Sequence, residues 1–187
     1  MITTAKKTLL VLSFLLVPMM VSAQVDGYGK PDTIFAELAK INDLNWSITI
    51  SYSNDQQVVG LAVPLKMTAG PVRIVADSAI YTGGRVETFA FKTSRADTAI
   101  QCVTLGMIAN LGPTHNFLAA GSGRLVTVFV SALDKQPIEK LMVDTTTTNP
   151  NNSLMVIADK IQGADTSSYE DMEKLKILPA FVVKQSK

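Results

Sequence analysis

The segment from Trp46 to Tyr52 constrains the fold more than any other. Trp46, Ile48, Ile50 and Tyr52 alternate with Ser47, Thr49 and Ser51. A period of two puts four large apolar side chains on one face and three hydroxyls on the other. A strand buried on one face only belongs in an antiparallel sheet, because parallel sheets are usually covered on both sides. Trp46 and Tyr52 fit the wall of a binding groove, but core packing requires the same alternation and is the simpler reading.

Further strands and their turns follow from the same signals. Val58 to Leu65 resumes the apolar pattern after the polar stretch 53–57, which reads as a hairpin connection. Pro64 places the end of that strand at an edge or bulge, since proline donates no ladder hydrogen bond. Val72 to Tyr81 and Val86 to Lys92 are strand candidates separated by the Gly83-Gly84 turn, so four strands in succession suggest a meander. Leu125 to Val130 is rich in β-branched residues and reads as a strand. Ile138 to Val143 fits a strand or a short helix, with strand preferred. Leu154 to Ala158 and Phe181 to Val183 complete about seven or eight strands.

Three helices are expected among them. Asp32 can cap one from Thr33 to about Asp43, with Ile34, Phe35, Leu38 and Ile41 on one face. Ser94 followed by Asp97 resembles an acidic capping box, and Arg95 to Leu111 then runs without proline to the Gly112-Pro113 stop. Gly106 weakens this long helix by about 1 kcal/mol relative to alanine and suggests close packing. Ser167 or Ser168 can cap a last helix to about Leu178, with Tyr169, Met172 and Leu175 on one face and Pro179 as its stop. Glu170, Asp171 and Glu173 would then be a solvated first turn that favours the helix dipole. The expected fold is therefore α+β: a mainly antiparallel sheet, one long central helix packed on it, and shorter helices near both ends.

The first 23 residues read as an export signal. Lys6 and Lys7 precede an apolar run to Val21, and Val21-Ser22-Ala23 offers small residues for cleavage after Ala23. The run is short for a bilayer span, which needs about 20 apolar residues, and Pro18 interrupts it. No cysteine follows the cut to carry a lipid. Residues 24–31 then form a flexible leader with Gly27 and Gly29, and 32–187 a single domain, long enough to bury its own core.

Losing Lys6 and Lys7 takes the formal charge from +1 to −1. A near-neutral chain has no general electrostatic attraction to nucleic acid or anionic membrane. Cys102 is the only cysteine, so no internal disulfide can form. An exported chain without disulfides suits a bacterial periplasm, and Cys102 in the apolar stretch 99–103 reads as a small buried hydrophobe.

Catalytic patterns are sparse. His115 is the only histidine, which excludes paired-histidine zinc motifs and, with one cysteine, a structural zinc site made of these residue types. Asp134, Asp144 and Asp159 are too scattered for a calcium loop. Cys102 and His115 are a conceivable nucleophile and base, but Cys102 lacks the cation or helix start that lowers a thiol pKa. Ser122 lies between Gly121 and Gly123 but precedes a strand, unlike a nucleophile elbow. Gly27-Tyr28-Gly29 carries no phosphate-binding pattern. Asp77 and Glu87 flank the Gly83-Gly84 turn and would face each other across a hairpin, the arrangement of an acid pair for hydrolysis. Asn45-Trp46-Ser47 and Asn151-Asn152-Ser153 match the short glycosylation pattern, which arises by chance.

No catalytic, cofactor or metal residue is therefore assigned. The expected function is that of an exported, non-enzymatic envelope protein that binds a macromolecule or serves an assembly. Its partner would be another envelope or surface protein, with no nucleic acid and no stable membrane insertion. A small exported hydrolase with a carboxylate pair and a secreted small-ligand-binding protein are the alternatives. The Thr- and Asn-rich segment 144–153 and the sheet edges are the candidate contact regions.

Overall fold

Two-residue alternation of buried and open residues governs the segments 33–39, 45–54, 103–108 and 126–131, which form inner strands of the sheets. The computed structural model describes residues 29–111, 115–146, 153–161, 164–165 and 173–185. One sheet carries β1 (Thr33–Lys40), β2 (Asn45–Asn54), β4 (Ile74–Ile80), β7 (Gly121–Ala132) and β13 (Ala180–Gln185), in the order β13-β1-β2-β7-β4. The second carries β3 (Val58–Thr68), β5 (Phe91–Asp97), β6 (Cys102–Ile108), β9 (Met155–Ala158) and β12 (Lys176–Ile177), in the order β12-β9-β3-β6-β5. Here β8 (Met142–Thr145) shares the flank of β3 with β9, β8 pairing residues 65–68 and β9 residues 58–62. A small hairpin joins β10 (Lys160–Ile161) to β11 (Ala164–Asp165). All of these pairings are antiparallel except β1 with β13.

The architecture is a β-sandwich, and this overturns the α+β expectation. The long central helix is absent: Arg95 to Leu111 is the end of β5, a turn through Gln101, and β6. Val103, Leu105 and Met107 are buried while Thr104, Gly106 and Ile108 face out, which is the period of a strand. Gly106 is close-packed as a strand residue, and a Cβ there would meet Thr93 Cγ2 at 3.0 Å. The helix expected from Thr33 is β1. Its buried side chains are Ile34, Ala36 and Leu38, and Phe35 lies on the outer face with Lys184 Nζ 4.2 Å from its ring centre. Most of the expected last helix lies outside the described residues. Glu173 and Lys174 are helical, and Lys176–Ile177 is already β12.

Several connections also differ from expectation. Segment 53–57 is not a hairpin turn, because β2 and β3 belong to opposite sheets. The meander is likewise replaced by crossings, with β4 pairing β7 and β5 pairing β6. Val86 to Lys92 is mostly turn: Val86 and Phe89 anchor it in the core, and β5 begins at Phe91. Ile138 and Leu141 are buried outside any strand, and β8 starts at Met142. The Gly83-Gly84 turn is dictated by proximity, since a Cβ on Gly84 would lie 2.2 Å from the Leu125 carbonyl oxygen.

The core lies between the sheets. Ile48, Ile50 and Tyr52 of β2 meet Val63, Leu65 and Met67 of β3, Leu105 of β6 and Val128 of β7 in one buried cluster. Each fully buried side chain of this size contributes roughly 1.5–3 kcal/mol before entropy is counted. Trp46 and Tyr52 belong to this interior and not to a groove: Trp46 Nε1 donates to the Ile138 carbonyl at 3.2 Å, and the Tyr52 hydroxyl donates to buried Asp32. Among the described residues no helix is long and apolar enough to cross a membrane.

Candidate binding face

The outer faces of the two sheets differ in chemistry. On the first sheet, Ser47, Thr49 and Ser51 of β2 lie beside Phe129, Thr127 and Arg124 of β7 and beside Ala39, Glu37 and Phe35 of β1. These outer positions of β2 are hydroxyls, flanked by the large apolar side chains Phe35, Phe129 and Ile80, each in a different register row. On the second, the register aligns Ile157, Gly60, Ile108 and Phe91 across β9, β3, β6 and β5. Three strand spacings make that row roughly 15 Å wide. Ile108, at the end of β6, and Phe91, at the start of the edge strand β5, are each 42% exposed. The adjacent row, Met155, Ala62, Gly106 and Thr93, is low and smooth. Farther along come Arg95 and then Asp144, Lys66 and Asp97, so the face grades from apolar to charged.

A cavity of about 350 Å³ opens at the apolar end, lined by Val59, Gly60, Ile108 and Ile157 with Asn110, His115 and Asp159 as its polar members. Asp159 follows β9 and is 3% exposed. Its backbone N–H is held by the Gln57 carbonyl at 2.8 Å. His115 Nε2 lies 3.0 Å from Asp159 Oδ2, and the histidine side chain is 55% exposed. Asp159 Oδ1 is buried and has no hydrogen-bond partner among the described residues. The loop carrying His115 is fixed by a reciprocal pair. Asn116 N–H donates to Asn110 Oδ1 at 2.5 Å, and Asn110 Nδ2 donates to the Asn116 carbonyl at 2.7 Å.

The structure separates the residues that sequence reading had weighed together. Cys102 begins β6 and Ile108 ends it, so the thiol lies about 20 Å along the strand from the His115 cavity. Cys102 is buried, its Sγ–H directed to the Ile100 carbonyl at 3.4 Å, and burial pushes its thiol pKa up, with Lys66 opposing and Asp97 reinforcing. That is the opposite of activation. Asp77 and Glu87 do not oppose each other across a hairpin, because β4 and β5 lie in different sheets. Asp77 accepts a hydrogen bond from Ser131 Oγ at 3.0 Å, and Glu87 accepts one from the Gly83 N–H at 3.0 Å. Ser122 sits at the start of β7, where Gly121 and Gly123 accommodate the Arg85 side chain. Arg85 donates to the carbonyls of Tyr52, Ala119 and Gly121 and to Asn54 Oδ1, a clamp between loop and strand.

Asp134 is exposed in the turn after β7, and Asp144 lies on β8, so neither joins Asp159. Among the described residues no three His, Cys, Asp or Glu side chains converge as a metal site would require. Asn45 is hydrogen-bonded to Asn42 Oδ1 at 2.9 Å. Glu173 pairs with Lys176 at 2.5 Å on the surface. Gly29 and Lys30 are the leader's first described residues, with the Lys30 N–H bonded to Asp55 Oδ2 at 2.6 Å. Gly27, Tyr28, Asn151, Asn152, Glu170, Asp171 and most of the Thr-rich segment lie outside the described residues. Sequence reading missed the Asp159–His115 pair. Forty-four residues separate the two, and nothing in the Ala158-Asp159-Lys160 sequence distinguishes a buried aspartate from a surface one.

Comparison with solved structures identifies the sandwich. The third cohesin of ScaC from Acetivibrio cellulolyticus, determined in complex with the ScaB dockerin, superposes with a TM-score of 0.57 at 10% identity, covering 83% of this chain and 97% of that one. A cohesin–dockerin complex of OlpA from Clostridium thermocellum gives 0.57 at 10% identity, over 84% of this chain and 100% of that one. The seventh ScaB type I cohesin of Pseudobacteroides cellulosolvens gives 0.56 at 7% identity, over 83% and 92%. The likeness is one of fold. No protein-family model matches the chain, and no curated protein matches it significantly.

Proposed function

We propose that the chain is an exported protein-binding module, an assembly component and not an enzyme, whose partner is another envelope or surface protein docking on the outer face of the β9-β3-β6-β5 sheet. The observation that carries the reading is the register row of exposed Ile108 and Phe91 with half-buried Ile157, beside the small residues Ala62 and Gly106. Contiguous apolar surface of this kind, graded into charge, is characteristic of a contact site. The fold supports it by analogy, since two of the similar structures are cohesins bound to dockerins. With Cys102, His115, Asp77 and Glu87 dispersed, no nucleophile, base and charge-stabilising donor come together among the described residues.

A photo-crosslinking amino acid placed at Ile108 tests the proposal in the native envelope. One discrete protein adduct is expected there, and none from the same group at Thr49 on the outer face of β2. Equal labelling at both positions, or at neither, would sink the assignment of this face. The intact mass of the recovered protein reads the export expectation directly, as loss of residues 1–23.

A further inference from the structure

We propose that the cavity at the apolar end of the face is an arginine subsite, covered in the free protein by His115. The inference rests on the protein-binding reading and names the side chain that the partner inserts.

The argument begins with Asp159. Its side chain is almost fully buried, yet only Oδ2 is engaged, by His115, while Oδ1 lacks a partner among the described residues. A carboxylate can accept about four hydrogen bonds, and leaving one oxygen desolvated is unfavourable. Among the described residues that line the cavity, Asp159 and His115 are the titratable ones, and the buried member of the pair is the carboxylate. Charge complementarity therefore selects a cation. The remaining walls, Val59, Ile108 and Ile157, are aliphatic and select a cation on an apolar stem.

Arginine meets both demands better than lysine. Its planar guanidinium can bond both oxygens of one carboxylate at once, which a compact ammonium does not reproduce. Engaging Oδ1 and Oδ2 together requires the imidazole to leave Oδ2. His115 is suited to leave, because its ring is more than half exposed and can swing outward while keeping its tilted contact with Phe117, at 55° with centroids 5.9 Å apart. Asn110, also on the wall, fixes the loop and not the imidazole. His115 is thus a displaceable cover over the carboxylate.

Methyl-resolved NMR of the full chain, with the isoleucine δ1 groups labelled, tests this with butylguanidinium and its neutral counterpart butylurea. Butylguanidinium should shift Ile108 and Ile157 in a saturable manner, and butylurea should bind about tenfold more weakly. Asp159→Asn, which preserves shape, should abolish that preference. His115→Ala should tighten guanidinium binding several-fold, because no cover needs displacing. A merely structural histidine would leave affinity unchanged or weaken it. Acetyl-Leu-Arg-amide should bind more tightly than free arginine, whose own carboxylate faces that of Asp159.

Equal binding of the urea and the guanidinium, weaker binding in His115→Ala, or preference for free arginine would each overturn the proposal. Should Asp159→Asn fail to fold, the His115→Ala and wild-type titrations still decide it. Adducts at Ile108 without guanidinium preference would overturn the subsite and leave the protein-binding reading standing. Guanidinium preference without adducts would do the reverse.

Discussion

Met107 and Ile108 are chain neighbours on β6 with opposite assignments, and replacing each by alanine separates fold from function. Met107 is fully buried between the sheets, whereas Ile108 is 42% exposed on the candidate face. Truncating a buried methionine removes its transfer free energy and leaves a cavity, together about 2–5 kcal/mol. For a domain of this length that lowers the melting temperature by roughly 2–4 °C per kcal/mol, so a fall of about 4–20 °C is expected. Ile108→Ala should stay within about 1 kcal/mol of the parent, because much of its surface is already in water. Its cost falls on binding instead. Covering the exposed part of an isoleucine is worth about 1 kcal/mol, or roughly a fivefold loss of affinity when removed. Urea unfolding followed through Trp46, the only tryptophan and a buried one, reads the first quantity. Recovery of the crosslinked partner reads the second. If Ile108→Ala destabilises as much as Met107→Ala, the strand alternation is wrong. If partner recovery is unchanged, the row is not the contact.

Two further outcomes follow from titratable groups. Cys102 should react slowly with a thiol reagent in the native protein and quickly once unfolded, since burial raises its pKa; fast native labelling would contradict the packing at the start of β6. Burial pushes the Tyr81 phenol up to about 12, and its hydroxyl donates to the Thr93 carbonyl at 2.7 Å. The unfolded chain ionises first, near pH 10, so stability is intact below that pH and declines as pH rises towards 12. Tyr81→Phe should flatten that decline, and an unchanged slope would show that another group is responsible.

How much of this was legible in the sequence depended on what lay on the outer faces. β2 and β7 were readable because hydroxyl residues such as Ser47, Thr49 and Thr127 mark the water side clearly. β1 and β6 were not, because apolar residues occur on both of their faces. Phe35 and Ile41 completed a helical spacing with Ile34 and Leu38, while small Ala36 concealed the true alternation. In β6, Ile108 filled the gap between Met107 and Ala109, producing a continuous apolar run that length alone assigned to a helix. The sheet to which each strand belongs was also hidden. A five-residue polar connection such as 53–57 serves a hairpin or a crossing between sheets, and only long-range pairing decides between them.

The residue that defeats the pattern at β6 also argues for the binding reading. Stability requires only the inner residues Val103, Leu105 and Met107, and serine or threonine would satisfy the outer positions, as along β2. An exposed isoleucine there gains nothing from the core and presents an open apolar surface to neighbouring chains. One such residue would be ordinary on any surface. Here Ile157, Ile108 and Phe91 share one register row, Phe91 and Ile108 paired across the β5-β6 hairpin and Ile157 brought in from the distant β9, and the row runs to a cavity containing a buried carboxylate. Local departures from a folding rule that converge on one place are expected at functional sites. Their alignment is therefore a stronger argument than the exposure of any one of them, and it directs mutagenesis to the row as a unit: replacing all three by threonine should preserve the fold and remove partner binding altogether.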